Sequence, residues 1–235
     1  MVRSPPATSP PAEASAKAGH YPLVTEFVSP LDCTVTSLLG GVPPLPLRND
    51  AMPRTPNLLR LLADPPGRAD RRSIGRSNAV AALVLKHPHS RNFGTAQLVR
   101  ALWHSDPVVR MRAADALEKA STSKPAIISR FKSELLGLLS ETSQQELRWH
   151  LALMLPRLPL TPGERRRSVE HLRRYLDDRS SIVKTCALQA IFELSKQDSS
   201  LRSEALDLLR AAARSGTAAM RARSRILLKK LEGGL

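Results

Sequence analysis

The stretch "DPVVRMRAADALEKAS", from Asp106 to Ser121, decides the fold. Aspartate is a favoured helix N-cap and proline is favoured at the first helical position, so a helix is predicted to begin at Pro107. Apolar residues then recur at helical spacing from Val109 to Ala120. A lone amphipathic helix says little about function, whereas a repeated one would build an extended surface.

The pattern of this stretch returns at regular intervals along the chain. The apolar-basic pairs that align are Val109-Arg110, Leu147-Arg148, Val183-Lys184 and Met220-Arg221, at successive steps of 38, 36 and 37 residues. A backward step of 34 residues aligns "GRSNAVAAL". It places Arg76, Ala79, Ala82 and Leu83 on Arg110, Ala113, Ala116 and Leu117, so Ala79 and Ala82 are expected to face the core. A period in the thirties with two helices per unit predicts an α-solenoid, because one helix pair cannot bury both of its faces. Buried equivalents are expected at Leu117, Leu155 and Ile191.

Residues 56–235 are predicted to be helical throughout. The predicted helices lie near 56–63, 72–86, 95–104, 107–120, 125–140, 144–158, 162–177, 181–196, 200–214 and 217–232. Capping boxes are predicted at Thr161–Glu164 and at Ser143–Glu146. No alternating pattern indicates a strand. The predicted fold class is an all-α solenoid of about five helical hairpins.

Residues 1–55 differ in composition from the rest of the chain. They hold ten of the 19 prolines, which interrupt helices because proline lacks a backbone donor and fixes φ. A disordered Pro-rich leader is predicted here, followed by a repeat array over 56–235. The alternative is that translation starts at Met52, just before the first predicted helix. The first residues lack the apolar segment of a secretory signal.

Charge and cysteine content narrow the class of partner and the compartment. The chain has 36 Lys and Arg against 21 Asp and Glu, a formal net charge of +15, and the whole excess lies in residues 56–235. Such a charge favours nucleic acid, acidic proteins or anionic membrane surfaces. Two cysteines, Cys33 and Cys186, provide no disulfide framework and no zinc spacing, so a reducing, cytoplasmic setting is expected. No apolar run approaches the roughly 20 residues of a membrane span.

The opening stretch resembles the HEAT repeat, in the short form found in bacterial proteins and in phycobilin lyase subunits. The residues that carry the resemblance are Asp106, Pro107, Val109, Arg110, Ala113, Ala114, Ala116 and Leu117. Weaker copies at 144–158 and 181–196 extend it over residues 56–235. The resemblance implies an armadillo-like α-solenoid. Because HEAT arrays serve mainly as scaffolds and adaptors, it also implies a non-catalytic monomer that binds a protein partner on a concave surface lined by the second helices.

A column of basic residues follows the repeat. It consists of Arg76, Arg110, Arg148, Lys184 and Arg221. One interpretation, implied by the HEAT resemblance, is a structural ladder in which each side chain bonds a carboxylate or carbonyl of the neighbouring repeat. The other is a row of cations for an extended anion. The alternative function is therefore a nucleic-acid-binding solenoid. Its binding residues would be Arg110, Arg112, Arg148, Lys184, Arg221 and Arg225.

The last predicted helix carries its own basic stripe. Arg221, Arg225 and Lys229 are spaced by four residues and so share one face. They are interpreted either as the solvated polar cap of the last repeat or as a binding surface. The candidate partner-binding residues are therefore Arg76, Arg110, Arg112, Arg148, Lys184, Arg221, Arg225 and Lys229.

The remaining residues with possible chemistry receive structural interpretations. Trp103 and Trp149 are expected in the core, although Trp can also stack on bases. His87 and His89 are expected in a loop, with no Cys or carboxylate nearby to complete a metal site. Cys186 is expected to be a small buried residue.

The sequence lacks the motifs of common enzymes. It contains no Gly-rich phosphate loop, no GxSxG and no HExxH. Its size, helical repeats and charge also resemble the DNA alkylation repair glycosylases, which use a Trp- and Tyr-rich cleft with a catalytic Asp. Here only Trp103, Trp149 and Tyr175 are present, with no Trp-Trp-Asp cluster. Neither catalysis, a metal nor a cofactor is therefore predicted.

Overall fold

A computed structural model of the chain describes residues 57–63 and 73–232. The predicted leader and the alternative start at Met52 lie outside the described residues. Within those two ranges 81% of the residues are helical and no strand occurs. The all-α prediction is therefore confirmed for this part of the chain.

Ten α-helices run through the described residues, as predicted. They are α1 (Leu58–Ala63), α2 (Ser77–Lys86), α3 (Thr95–Arg100), α4 (Pro107–Ser123), α5 (Lys132–Glu141), α6 (Gln145–Met154), α7 (Pro162–Tyr175), α8 (Ser181–Gln197), α9 (Arg202–Ser215) and α10 (Ala218–Glu232). Short 3-10 turns occupy Ala101–Trp103, Pro125–Phe131, Leu155–Arg157 and Ser199–Leu201. Several predicted helices are longer than the observed ones. Most of the extra residues lie in these 3-10 turns.

Side-chain caps begin two of these helices as predicted. The Asp106 carboxylate accepts from the backbone N–H of Val108 at 2.8 Å and starts α4. At α7, Thr161 accepts from the N–H of Glu164, whose carboxylate accepts from the N–H of Thr161. Each cap satisfies backbone donors that a helix leaves unpaired at its first turn.

The capping box predicted at Ser143 is wrong. The N-cap of α6 is Gln144, and it makes no side-chain cap bond. Its amide turns instead to the preceding unit, donating to the carbonyl of Pro107 at 2.8 Å and accepting from Arg110 at 2.7 Å. A contact between units therefore replaces the local cap.

The even-numbered helices lie side by side in series. Helix α2 packs on α4, α4 on α6, α6 on α8 and α8 on α10, while α9 packs on both α8 and α10. Helices α3, α5 and α7 pack on α4, α6 and α8 respectively. Each interior even helix therefore has an even neighbour on two sides and a preceding odd helix beside it.

The predicted register of the core is confirmed at three successive positions, which lie in α4, in the 3-10 turn after α6, and in α8. Leu117, Leu155 and Ile191 are 0%, 2% and 1% exposed. Their burial at steps of one repeat shows that α4, the end of α6 and α8 present equivalent faces to the core.

The register predicted for the first unit is wrong. Ala79 and Ala82 were expected to face the core but are exposed, and the buried residues of α2 include Val80 and Val84. Helix α2 begins only after Arg76, so that residue is an N-cap and does not occupy the place of Arg110.

Candidate interaction surface

Three of the predicted column residues fold back onto the loop before their own helix. Arg110 donates to the carbonyl of His104 at 2.7 Å, Arg148 to that of Thr142 at 2.9 Å, and Arg221 to that of Gly216 at 2.7 Å. Each is the fourth residue of an even helix. Its guanidinium thus holds the turn within its own helix pair, a contact that neither interpretation of the column predicted.

The same guanidinium also reaches the next unit. Arg110 donates to the side-chain oxygen of Gln144 at 2.7 Å, and Arg148 donates to the carboxylate of Asp178 at 2.6 Å. Burial alone would raise the pKa of Asp178, but hydrogen bonds from the backbone of Ser180 and from Arg148 hold that pKa below its ordinary value. A rigid fork that serves two acceptors at once is a property of Arg rather than Lys.

Arg112 does not belong to an exposed surface. It is only 2% exposed, and it donates to the carbonyls of Ser73 at 3.0 Å and Leu62 at 2.8 Å. Gly75, whose φ is +54°, lies against this guanidinium. Arg112 therefore anchors α1 and the start of α2 to α4.

The other predicted site residues fall into two groups. Lys184 is half-buried, and its charge contributes to the low pKa of Asp178. Arg225 and Lys229 are exposed on α10, on the same face as Arg221. The eight candidates thus do not form one surface, because Arg110, Arg112 and Arg148 donate their hydrogen bonds to acceptors within the chain.

A different set of side chains does continue from helix to helix. The stripe comprises Glu146, Trp149 and Leu153 of α6, Ile182, Thr185, Gln189 and Glu193 of α8, and Ala219, Ala222, Ile226 and Lys230 of α10. We call this set the even-helix stripe. Its members share the repeat steps of 36 and 37 residues, recur at helical spacing, and are all exposed or half-buried.

The even-helix stripe is poor in charge and exposes large aliphatic side chains. Ile182 and Ile226 are 46% and 47% exposed. Six of its eleven residues are apolar and only Glu146, Glu193 and Lys230 are charged, although the chain carries +15. Low charge with exposed aliphatic and aromatic side chains is typical of the centre of a protein interface.

A buried polar cluster, which the sequence did not indicate, joins α2, α4 and α6. The Ser77 hydroxyl donates to the Asp115 carboxylate, and Lys119 donates to Asp115 at 2.6 Å. His150 Nε2 lies 3.9 Å from Asp115, and its Nδ1 has no hydrogen-bond partner among the described residues. Paired buried polar groups of this kind specify how neighbouring elements fit together.

The cluster contains Ser, Asp and His but lacks the order of a catalytic triad. The Ser77 hydroxyl donates to the carboxylate and not to the imidazole of His150, so no base activates it. Ser77 and His150 are 0% and 1% exposed. Substrate therefore has no access to a nucleophile here.

The expectations for the aromatic residues are met only in part. Trp103 was expected in the core, but it is 48% exposed at the end of a 3-10 turn. Trp149 is half-buried and packs at the edge of the core. Tyr175 is buried and donates its hydroxyl to the carbonyl of Leu139 at 2.6 Å, so its ring cannot stack on a base.

His87 and His89 lie in the predicted loop after α2. Cys186 is half-buried rather than fully buried, and burial raises the pKa of its thiol to about 12. Within the described ranges, no group of three or more His, Cys, Asp or Glu residues could hold a metal ion.

A shallow groove of about 470 Å³ lies between α7 and α9. Arg166, Glu170 and Leu201 are among its lining residues, and an ion pair of 2.6 Å joins Arg173 to Glu204 there. It presents charges of both signs, so it does not select an anion.

Comparison with known proteins adds no family to this description. No protein-family model matches the chain, and a search of curated proteins gives no significant match. In the part of the chain that the structure describes, no helix combines the length and apolar character needed to span a membrane.

Proposed function

We propose that the chain is a HEAT-like α-solenoid that acts as a non-catalytic scaffold and binds a protein partner. The observation that carries this proposal is the even-helix stripe, which continues across α6, α8 and α10 at the repeat spacing. In a solenoid the second helix of each pair lines the concave surface. The proposal therefore places the partner on the stripe.

Energetic considerations favour an apolar contact at this stripe. Burying exposed apolar area is worth about 25 cal/mol per Å² before the costs of association. Ile182, Ile226 and Trp149 supply such area. Interfaces depend on a few large side chains of this kind, surrounded by residues that exclude water.

A nucleic-acid-binding function is less well supported. It would use Arg110, Arg112 and Arg148, yet each of these guanidiniums donates to acceptors within the chain. Phosphate contacts would have to compete with those hydrogen bonds. Of the other candidates, Arg221, Arg225 and Lys229 are exposed, and all three lie on the single helix α10.

The test is a comparison of two matched double variants. Ile182→Asp with Ile226→Asp alters the stripe, whereas Leu59→Asp with Trp103→Asp alters exposed apolar residues elsewhere; all four are at least 42% exposed. Affinity purification from cells of the source organism, with nuclease treatment, should recover a protein partner with the unaltered chain and the control. The stripe variant should lose it. Recovery that depends on nucleic acid, or that survives the stripe change, contradicts the proposal.

A further inference from the structure

Helix α10 exposes a central position that the earlier even helices bury. We define the end face as Ala218, Arg221, Arg225 and Lys229. At the place of Arg225, one repeat apart, stand residues that are 0%, 0% and 1% exposed: Ala114, Ala152 and Leu188. The centre of the end face is therefore equivalent to a position that is covered in α4, α6 and α8.

Packing between α8 and α10 shows what covers such a surface. Leu188 and Phe192 of α8 lie in one apolar cluster with Met220 and Leu227 of α10. Across the same junction the hydroxyls of Ser181 and Thr217 are hydrogen-bonded at 2.7 Å. At this junction the equivalent surface of α8 therefore packs against another helix.

Arg221 shows what chemistry a helix on the end face would need. Arg110 and Arg148 each donate both to the preceding loop and to the next unit, where the acceptors are Gln144 and Asp178. Arg221 makes the first of these contacts, to Gly216, and among the described residues no acceptor takes the second. The Nε–H of Arg221 is the group that Arg110 directs at an oxygen of the next unit.

The charge of the end face excludes an ordinary apolar neighbour. Arg225 and Lys229 stand where α8 has Leu188 and Phe192. Covering these two cations with apolar side chains would remove their hydration without replacement, which is costly. Helix α10 has one carboxylate in its sequence, Glu232 at its last position, against five Lys and Arg residues. A covering helix must therefore bring carboxylates.

A second copy of this chain does not meet that requirement. Head-to-tail stacking would bring α1 and α2 of one molecule onto the end face of another. Those two helices contain Arg60 and Lys86 but no Asp or Glu. Such a junction would place like charges opposite each other, which costs stability.

We propose that the end face binds an acidic helix of a partner protein, with carboxylates at i, i+4 and i+8 and small residues between them. These carboxylates pair with Arg221, Arg225 and Lys229, and the small side chain of Ala218 allows the helix to approach closely. The end face is a different surface from the even-helix stripe. This inference therefore goes beyond the scaffold function and does not depend on it.

The experiment uses the full chain and a fluorescent, stapled Ala-rich peptide with aligned Glu residues at i, i+4 and i+8. An isomer of the same composition has its Glu residues scattered around the helix. Anisotropy at low and moderate salt should show that the aligned peptide binds at least about tenfold more tightly than the isomer, since alignment and not total charge matters.

Two protein variants of equal charge test the location. The first variant combines Arg221→Glu, Arg225→Glu and Lys229→Glu. Its affinity for the aligned peptide should fall at least about tenfold, and it should instead bind the analogue that carries Lys in place of Glu. The control changes three exposed arginines of α7, Arg166, Arg167 and Arg174, to Glu. That control should stay within about threefold of the unaltered chain, because remote charges are screened. Circular dichroism checks that both variants remain helical.

Several results would overturn the inference. Equal binding of the isomer, or an equal loss in the α7 control, would show only general attraction to a basic protein. No binding at low salt would show that the end face is a solvated cap. A short DNA duplex that displaces the peptide, and depends on the same three residues, would assign the face to nucleic acid. None of these results would contradict the function proposed for the even-helix stripe. That function is tested separately by the Ile182→Asp, Ile226→Asp variant.

Discussion

His150 Nε2 lies 3.9 Å from the Oδ1 of Asp115, and both side chains are buried. Burial and the nearby charge of Lys119 hold the pKa of His150 well below its ordinary value of 6.5. The unfolded chain therefore binds a proton at this residue at a higher pH than the folded chain does. As the pH falls below about 6.5, the free energy of unfolding should decrease.

Urea unfolding at pH 7.5 and 5.5 measures this effect. One buried neutral His contributes at most about 1.4 kcal/mol per pH unit. The His150→Phe variant should lose that dependence, whereas His89→Gln at an exposed turn should retain it. An unchanged slope in His150→Phe would contradict the prediction.

Protonation of Glu164 does not change the free energy of unfolding between pH 7.5 and 5.5. The hydrogen bond from Lys132, followed by that from the backbone of Thr161, lowers the pKa of Glu164 from 4.5 to about 2. A carboxylate with a lowered pKa loses its stabilising contribution only as the pH falls from about 4.5 through 2. Its effect therefore begins below the window in which His150 acts.

The ion pair between Arg148 and Asp178 should couple two units. Its nitrogen and oxygen are 2.6 Å apart, and the Asp178 side chain is 8% exposed. A double-mutant cycle with Arg148→Met and Asp178→Asn should give a coupling energy of about 0.5–3 kcal/mol. The exposed pair Arg210–Asp207, at 3.8 Å, is the control and should give less than about 0.5 kcal/mol. Equal coupling in the two pairs would refute the ladder.

Gly75→Ala should destabilise the first unit. A Cβ at Gly75 would lie 2.8 Å from Nε of Arg112, and the φ of +54° disfavours any side chain. Displacing Arg112 would break its hydrogen bonds to Leu62 and Ser73, so a loss of about 1–3 kcal/mol is expected. In contrast, Gly137→Ala meets nothing within 4 Å in α5 and should stabilise by about 0.5–1 kcal/mol. Thermal unfolding of both variants checks the sign.

Leu155→Ala should lower the free energy of unfolding, because the repeat register places Leu155 in the core. Leu155 is 2% exposed, so truncation leaves a cavity and should cost about 2–5 kcal/mol. Ile182→Ala, at 46% exposure, should change the free energy of unfolding by less than about 0.5 kcal/mol. Similar losses in the two variants would show that the predicted register does not define the core.

The sequence by itself determined most of the helices and, after the first unit, the repeat register of the core. Asp106 and Thr161 cap helices through bonds to residues two and three positions away, and the spacing of Leu117, Leu155 and Ile191 follows from the period of the helix and of the repeat. These features are local or periodic, so a one-dimensional pattern is enough to place them.

Only the tertiary structure decided what the polar side chains do. Arg112 and Arg225 are both Arg residues on even helices, yet one is buried beneath the carbonyls of Leu62 and Ser73 and the other is exposed. The partners of Arg112 are 50 and 39 residues away in the chain. Likewise, His150 meets Asp115 only because α6 packs on α4. Whether a charged side chain is satisfied or free depends on acceptors brought in from distant segments, and helical periodicity contains no information about those.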